Sequence, residues 1–149
     1  MVSMPASPPF RQAAAGDSEV SLLRLYVLRA AYLLLVVGTG ALVVPDILSH
    51  DLLSRGAIPS LLGGLWLLAF LGLRYPLQML PLLLFELAWK SIWMLAYGLP
   101  QWAAGQHPST FADDFFSIGF GIVLMPLVIP WPYVWTHYVK RPGARWGRR

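Results

Sequence analysis

The segment that decides the fold is residues 80–100, LPLLLFELAWKSIWMLAYGLP, which is almost wholly apolar yet carries an acid and a base. A helix needs about 20 residues to cross about 30 Å of hydrocarbon, and this segment has that length. Glu86 and Lys90 lie four residues apart in it. A helix would place both on one face, with the acid in the favourable N-terminal position. The segment is therefore predicted to be a membrane-spanning helix with an internal charged pair.

The composition of the whole chain indicates the same environment. Of its 149 residues, 57% are hydrophobic and 12% are charged, whereas soluble domains carry about 25% charged residues. A soluble domain of this size could not bury so much apolar surface, because small folds still expose a large share of their surface. The chain has no cysteine, which excludes disulfides, thiolate metal sites and cysteine nucleophiles.

Four apolar runs separated by polar links predict an all-α integral membrane protein, a bundle of four spanning helices. The spans are expected at residues 22–44, 57–73, 76–99 and 115–138, within one domain of residues 21–139. Residues 1–20, rich in proline, alanine and serine, are expected to be a flexible cytoplasmic tail, and residues 140–149 a basic one. Prolines are expected to kink or shorten the third and fourth spans, namely Pro81, Pro126, Pro130 and Pro132.

Small residues are predicted to let the helices approach each other closely. Ser60 with Gly64, and Ser117 with Gly121, have the small-xxx-small spacing that brings helix backbones together in lipid. The chain is therefore expected to pack as a bundle and not as four separate spans.

The basic residues are distributed asymmetrically along this four-span chain. Nine of the eleven fall on the side of the termini and the 74–75 turn, namely Arg11, Arg24, Arg29, Arg74, Lys140, Arg141, Arg145, Arg148 and Arg149. Arg55 is the only basic residue expected on the other side. The positive-inside rule therefore predicts a multi-pass protein of the cell (inner) membrane with both termini in the cytoplasm. Arg24 and Arg29, near the start of the first span, are expected to extend back to the headgroups.

The basic tail indicates lipid as a partner. Five residues are predicted to anchor the last span to anionic headgroups: Lys140, Arg141, Arg145, Arg148 and Arg149. No nucleic-acid partner is predicted, because the bases lie beside apolar runs and do not form an interleaved basic face. A homo-oligomer and a membrane-protein partner both stay open.

Two interpretations of Glu86 and Lys90 stay open. An isolated charge at the bilayer centre costs about 2.5–3.5 kcal/mol on insertion scales, and pairing reduces that cost. The pair is either an ion pair that fixes the packing of the bundle or a site for a proton or substrate. Helical periodicity is expected to place Gln78, Trp93 and Tyr97 along the same face as a flanking stripe.

No other set of residues indicates chemistry. Weak candidates for metal ligands are expected on the outer side, namely Asp46, His50, His107, Asp113 and Asp114. They lack the defined spacing of a zinc site, so no metal is predicted. There is also no phosphate-binding loop, nucleophile elbow or triad. The chain is predicted to have no catalytic residue and no cofactor, which favours a protein that is not an enzyme.

Two stretches, GLRYPLQMLPLLLFELAWKSIW (residues 72–93) and MPLVIPWPYVWTHYVKRPGARW (residues 125–146), resemble segments of small bacterial four-helix inner-membrane proteins. The resemblance covers roughly the last three spans, and in size and span count the chain is also similar to DoxX-like proteins. The resemblance to the four-helix inner-membrane proteins implies a four-span membrane fold and no catalytic residues. The predicted function is a non-enzymatic accessory or structural component of the membrane. The alternative is a small proton-coupled carrier or channel-like transporter that acts as a homo-oligomer through Glu86 and Lys90.

Overall fold

The computed structural model describes residues 20–49 and 56–143, and all regular structure in these two stretches is helical. The elements are, in chain order, α1 (Leu22–Ser49), α2 (Ala57–Arg74), α3 (Leu80–Trp93), a first π-helical segment (Met94–Gly98), α4 (Leu99–Ala104), α5 (Phe111–Val128), α6 (Trp131–Val134) and a second π-helical segment (Trp135–Val139). From α3 to α4 the chain is one continuous helical unit of 25 residues, Leu80–Ala104. Four units are long and apolar enough to cross a membrane, as predicted.

The buried core lies at one end of the bundle, where α1 begins, α2 turns into α3 and α5 ends. Leu28 and Leu83 are completely buried there. The ring of Tyr32 lies directly against Gly72, where any side chain would overlap it. The Tyr32 hydroxyl donates a hydrogen bond of 3.1 Å to the carbonyl of Pro76. These contacts join α1 to the turn between α2 and α3.

Along the rest of the bundle, α1 packs against α2 and α3 packs against α5. The indole N–H of Trp66 on α2 donates a 2.8 Å hydrogen bond to the carbonyl of Val36 on α1. The same ring crosses Gly40 at close range. Gly64 does not make the predicted close approach, since a Cβ atom added there would have no neighbour within 4 Å among the described residues. The close packing of α1 on α2 therefore depends on Gly40 and not on the predicted pair of Ser60 and Gly64.

The first helix is longer than predicted. It continues through Pro45 to Ser49, whereas the span was expected to end at residue 44. Proline has no N–H for the carbonyl four residues earlier, but membrane helices tolerate the loss where the surroundings satisfy the freed group. A proline near the end of an apolar run therefore did not end this helix.

The third helix begins later and ends later than the predicted 76–99. Residues 76–79 form a turn, and Pro81 lies in the first turn of α3, where its missing N–H is not needed. Pro81 therefore starts the helix and does not kink it. Near the other end, the Leu99 N–H bonds to the Met94 carbonyl, which is the i→i+5 pattern of a π-helix. Pro100 follows at once, and its missing N–H accounts for a local change in hydrogen bonding.

The fourth helix does not reach residue 138. It begins at Phe111 and ends at Val128, and the chain then leaves the helical conformation at Ile129 (φ −64°, ψ 126°). Pro130 is also non-helical (φ −77°, ψ 83°), and a separate short helix starts after it. Pro126, by contrast, lies inside α5. Ile129 and Pro130 therefore separate α5 from a distinct helical segment.

Candidate functional site: an ion pair between α3 and α5

The charged pair is formed, and α3 alone positions both members. Lys90 Nζ lies 2.6 Å from Glu86 Oε2, across one turn of the helix. Positions i and i+4 are neighbours on a helix surface, so the backbone of α3 fixes this geometry without help from a loop. The predicted pairing of acid and base on one face is therefore present in the structure.

Both side chains are withdrawn from the surface. The exposed fraction is 2% for the Glu86 side chain and 13% for that of Lys90. Glu86 Oε2 is enclosed without an aligned hydrogen bond, so its negative charge is balanced by the close ammonium group. A buried ion requires such a partner, because transferring a lone charge out of water costs several kcal/mol, of the order of the whole stability of a small domain.

Gly121 of α5 provides the space for the lysine. A Cβ atom at this position would lie 2.8 Å from Lys90 Cδ and 2.9 Å from Lys90 Nζ. Real Cβ atoms do not approach other heavy atoms so closely, so the lysine can cross α5 here only because residue 121 has no side chain. Ser117, its predicted small-residue partner, is exposed. Gly121 was expected to serve helix contact, and its contact is with the charged pair itself.

Trp89 is a member of the site that the sequence pattern did not reveal. Lys90 Nζ lies 5.3 Å from the centroid of its ring, within the range of a cation–π interaction. Its indole Nε1 is buried and has no hydrogen-bond partner among the described residues. Since residues i and i+1 do not share a helix face, the spacing to Lys90 gave no sign of this contact.

The charged pair lies near the middle of its helical unit. The central residue of the 25-residue unit Leu80–Ala104 is Ile92. Lys90 is two residues from it, or about 3 Å, and Glu86 is six residues away, or about 9 Å. The ammonium group is therefore the more central charge. Either end of the unit is about 15 Å or more from Lys90, which is farther than a lysine side chain extends.

The three residues predicted to flank the pair differ in exposure and in the element they belong to. Gln78 lies in the turn before α3 and is exposed, and Tyr97 is 57% exposed. Trp93 is half-buried, and its ring lies close to Gly98. The helix begins only at Leu80, and the first π-helical segment turns the later residues away from the face of α3. The prediction that one regular α-helix covers residues 76–99 is therefore wrong.

The weak metal candidates are dispersed in the described part of the chain. Asp113 and Asp114 are exposed in the first turn of α5, and the ring of His107 stacks on Phe111 at 4.6 Å. Asp46 is exposed on α1. No three His, Cys, Asp or Glu residues within 20–49 and 56–143 are placed to hold one metal ion. The further candidate, His50, lies outside the described residues.

The basic residues near the core end have distinct roles. Lys140 and Arg141 are exposed after the second π-helical segment, and the remaining tail residues Arg145, Arg148 and Arg149 lie outside the described residues. The guanidinium of Arg24 donates a 2.7 Å hydrogen bond to the carbonyl of Ile129, just after the end of α5. Arg24 is therefore a link between α1 and α5.

This chain matches no protein-family model, no curated protein and no solved structure. Its function is accordingly inferred from its own residues.

Proposed function

We propose that this protein is a multi-pass integral protein of the cytoplasmic (inner) membrane, with both termini in the cytoplasm, and that it acts as a non-enzymatic accessory or structural component. Four helical units have the length and apolarity to span. Their exposed surface is rich in large apolar side chains such as Leu33, Leu61 and Phe116, which suit contact with lipid. The basic residues favour the cytoplasmic side for the core end.

The accessory role is supported by the burial and mutual neutralisation of the charged pair. Glu86 and Lys90 neutralise each other within one helix, and Glu86 is 2% exposed. A carrier site would need access for its proton or substrate, whereas a pair held against Gly121 is suited to fix α3 on α5. The pair is thus a packing device, of the kind in which a buried polar contact sets which helices meet and in which register.

A small proton-coupled carrier is the second candidate function. Two observations favour it: Trp89 Nε1 is a buried donor without a partner in the part of the chain that the structure describes, and a π-helical segment begins four residues after Lys90. Unsatisfied buried groups and π-helical turns are both frequent at functional sites. Because four spans are few, such a carrier would act as a homo-oligomer through Glu86 and Lys90.

Purification of the full chain in a mild detergent, followed by size analysis and identification of associated chains, tests these two functions. A stable heteromeric membrane complex is expected for the accessory role. The Glu86→Gln variant should then lose both the partner and its own stability. A homo-oligomer without a partner, which in vesicles dissipates a proton gradient only when Glu86 is intact, would contradict the accessory role and establish the carrier.

A further inference from the structure

The helical segment after α5, Trp131–Val139, has no part in the proposed function, yet it has a defined position. If α5 had continued as a helix, Tyr138 would lie about 15 Å beyond Val128 along the axis. Instead the chain leaves the helical conformation at Ile129, and Tyr133 packs against the buried core cluster. Val134 is buried in the same core cluster. The segment therefore folds back across the core end of the bundle.

Two hydrogen bonds hold the chain at the bend. Arg24 donates to the carbonyl of Ile129 at 2.7 Å, and the indole of Trp131 donates to the carbonyl of Pro126 at 2.8 Å. The Pro126 carbonyl lacks a helical partner because Pro130 has no N–H, and the Ile129 carbonyl also accepts from the backbone N–H of Trp131 at 3.0 Å. The bend is thus stabilised on both sides, and the direction of the segment after it is fixed.

The outer face of the segment is aromatic. Trp135 is 57% exposed, Tyr138 45% and Trp131 44%. Tryptophan and tyrosine favour the boundary between hydrocarbon and headgroups, because their rings are apolar and carry one polar atom. The uncharged part of α5, residues 115–128, covers only about 21 Å of the roughly 30 Å of hydrocarbon. The segment that follows is therefore close to the membrane boundary and not far out in water.

Basic residues lie at the same end of the bundle as this aromatic face. Arg74 ends α2 just before the turn whose Leu77 is buried in the same cluster as Val134, and Lys140 follows Tyr138 after one residue. Arg74, Lys140 and Arg141 are all exposed. The carboxylates within 20–49 and 56–143 are elsewhere: Glu86 is paired inside the bundle, and the others belong to the opposite end, namely Asp46, Asp113 and Asp114. The positive charge at this corner is not compensated by any described acid.

We propose that this corner, formed by Arg74, Trp135, Tyr138, Lys140 and Arg141, is a binding surface for the phosphate headgroup of an acidic phospholipid. Arg74 and Lys140 contact the phosphate, and the two rings lie among the upper acyl chains. The inference rests on the proposed membrane location. It adds that the segment Trp131–Val139 lies along the membrane boundary and that the chain selects acidic over zwitterionic lipid.

Mass spectrometry of the intact protein, released from nanodiscs of mixed phosphatidylglycerol and phosphatidylcholine, measures this selection. We expect bound phosphatidylglycerol in excess, and a loss of about five-fold in that excess for each of Arg74→Gln and Lys140→Gln, since one basic residue at the surface is worth roughly 1 kcal/mol. Arg29→Gln is the matched control, because it removes one exposed charge near the start of α1 but outside the corner, so that its loss should be smaller than that of the two corner variants. An equal loss in the control, or no excess in the wild type, would overturn the site.

The absence of cysteine allows a second test with the full chain. Single cysteines at positions 131, 135 and 138 are spin-labelled, and their membrane depth is measured by collision with oxygen and with a water-soluble nickel complex. A segment along the boundary places the three labels within about 3 Å of one depth, whereas a continuous helix separates the first and last by about 10 Å. Depths that increase steadily would overturn the inference and leave the membrane location intact. Labels that show no membrane depth at all would refute the proposed function itself.

Discussion

A buried lysine near the centre of a membrane-length helix is stable only if something nearby balances its charge. Lys90 is 13% exposed, lies beside the Trp89 ring and contacts Glu86 at 2.6 Å. Three independent features thus support one ammonium group: an opposite charge, the face of an aromatic ring, and the gap at Gly121. Removing any of them should have a measurable effect, and the effects should differ in kind.

The first prediction concerns the two charges. Glu86→Gln leaves the ammonium unpaired and Lys90→Met leaves the carboxylate unpaired, so each should lower the free energy of unfolding by about 3–5 kcal/mol. The double variant leaves no lone charge and should lose much less. Thermal unfolding in detergent of the wild type, both singles and the double measures the coupling. Ser91→Ala is the control, because that hydroxyl bonds only within α3, to the Leu87 carbonyl at 2.7 Å. Additive losses in the double would show that the residues do not act as a pair.

The second prediction concerns Gly121. A methyl group at this position would lie 2.8 Å from Lys90 Cδ, so Gly121→Ala must displace the lysine or move α5 away. We expect a loss of about 1–3 kcal/mol in the free energy of unfolding, the usual effect of overpacking. Gly119→Ala on the same helix is the matched control, since its methyl would meet Met94 Cε at an ordinary 3.6 Å. Equal stability of the two variants would mean that the lysine does not need this gap.

At the scale of the element, the four long helices follow from hydropathy, but their ends do not. Pro45 lies within a helix, Pro81 starts one, and Pro130 follows the end of another. A local rule for proline cannot separate these cases, because the outcome depends on which group satisfies the freed carbonyls. Pro130 frees the carbonyl of Pro126, which the indole of Trp131 satisfies, and Arg24 bonds the carbonyl of Ile129 from 105 residues away in sequence. Likewise, spacing predicts Glu86 and Lys90 as neighbours, whereas Trp89 and Gly121 join them through ring placement and packing between helices.

The third prediction tests the link at the end of α5. Arg24→Gln removes the charged donor at 2.7 Å from the Ile129 carbonyl, and a shorter amide cannot reach it. Hydrogen bonds to charged groups contribute about 1.5–3 kcal/mol. Because this contact is only partly buried, we expect a loss of about 1–2 kcal/mol in the free energy of unfolding. Thermal unfolding measures it, with Arg29→Gln as the exposed control on the same helix. A loss no greater than that of the control would refute the role of Arg24 as a link.

At the scale of the whole molecule, the contacts at the core end bear on orientation. The Arg24–Ile129 hydrogen bond brings together the start of α1 and the end of α5, and the Tyr32–Pro76 hydrogen bond adds the turn between α2 and α3. Arg24, Arg74 and Lys140, which are far apart in the sequence, therefore belong to one end of the bundle. The described acids Asp113 and Asp114 begin α5 at the other end. The charge asymmetry counted along the chain is thus also an asymmetry of the fold.

The fourth prediction follows from that asymmetry. Because lysine and arginine near span ends determine orientation, the core end should face the cytoplasm, and the loop after α4 should face the opposite side. Reporter fusions after Gly105 and after Arg149 are expected to be active on opposite sides, with the second one cytoplasmic. Neutralising Arg74, Lys140 and Arg141 together should produce a population with mixed orientation, since three charges at one end are removed while the spans are unchanged. Reporters that agree with each other would refute the four-span arrangement, whereas reporters that exchange sides would leave the bundle intact and overturn only its orientation.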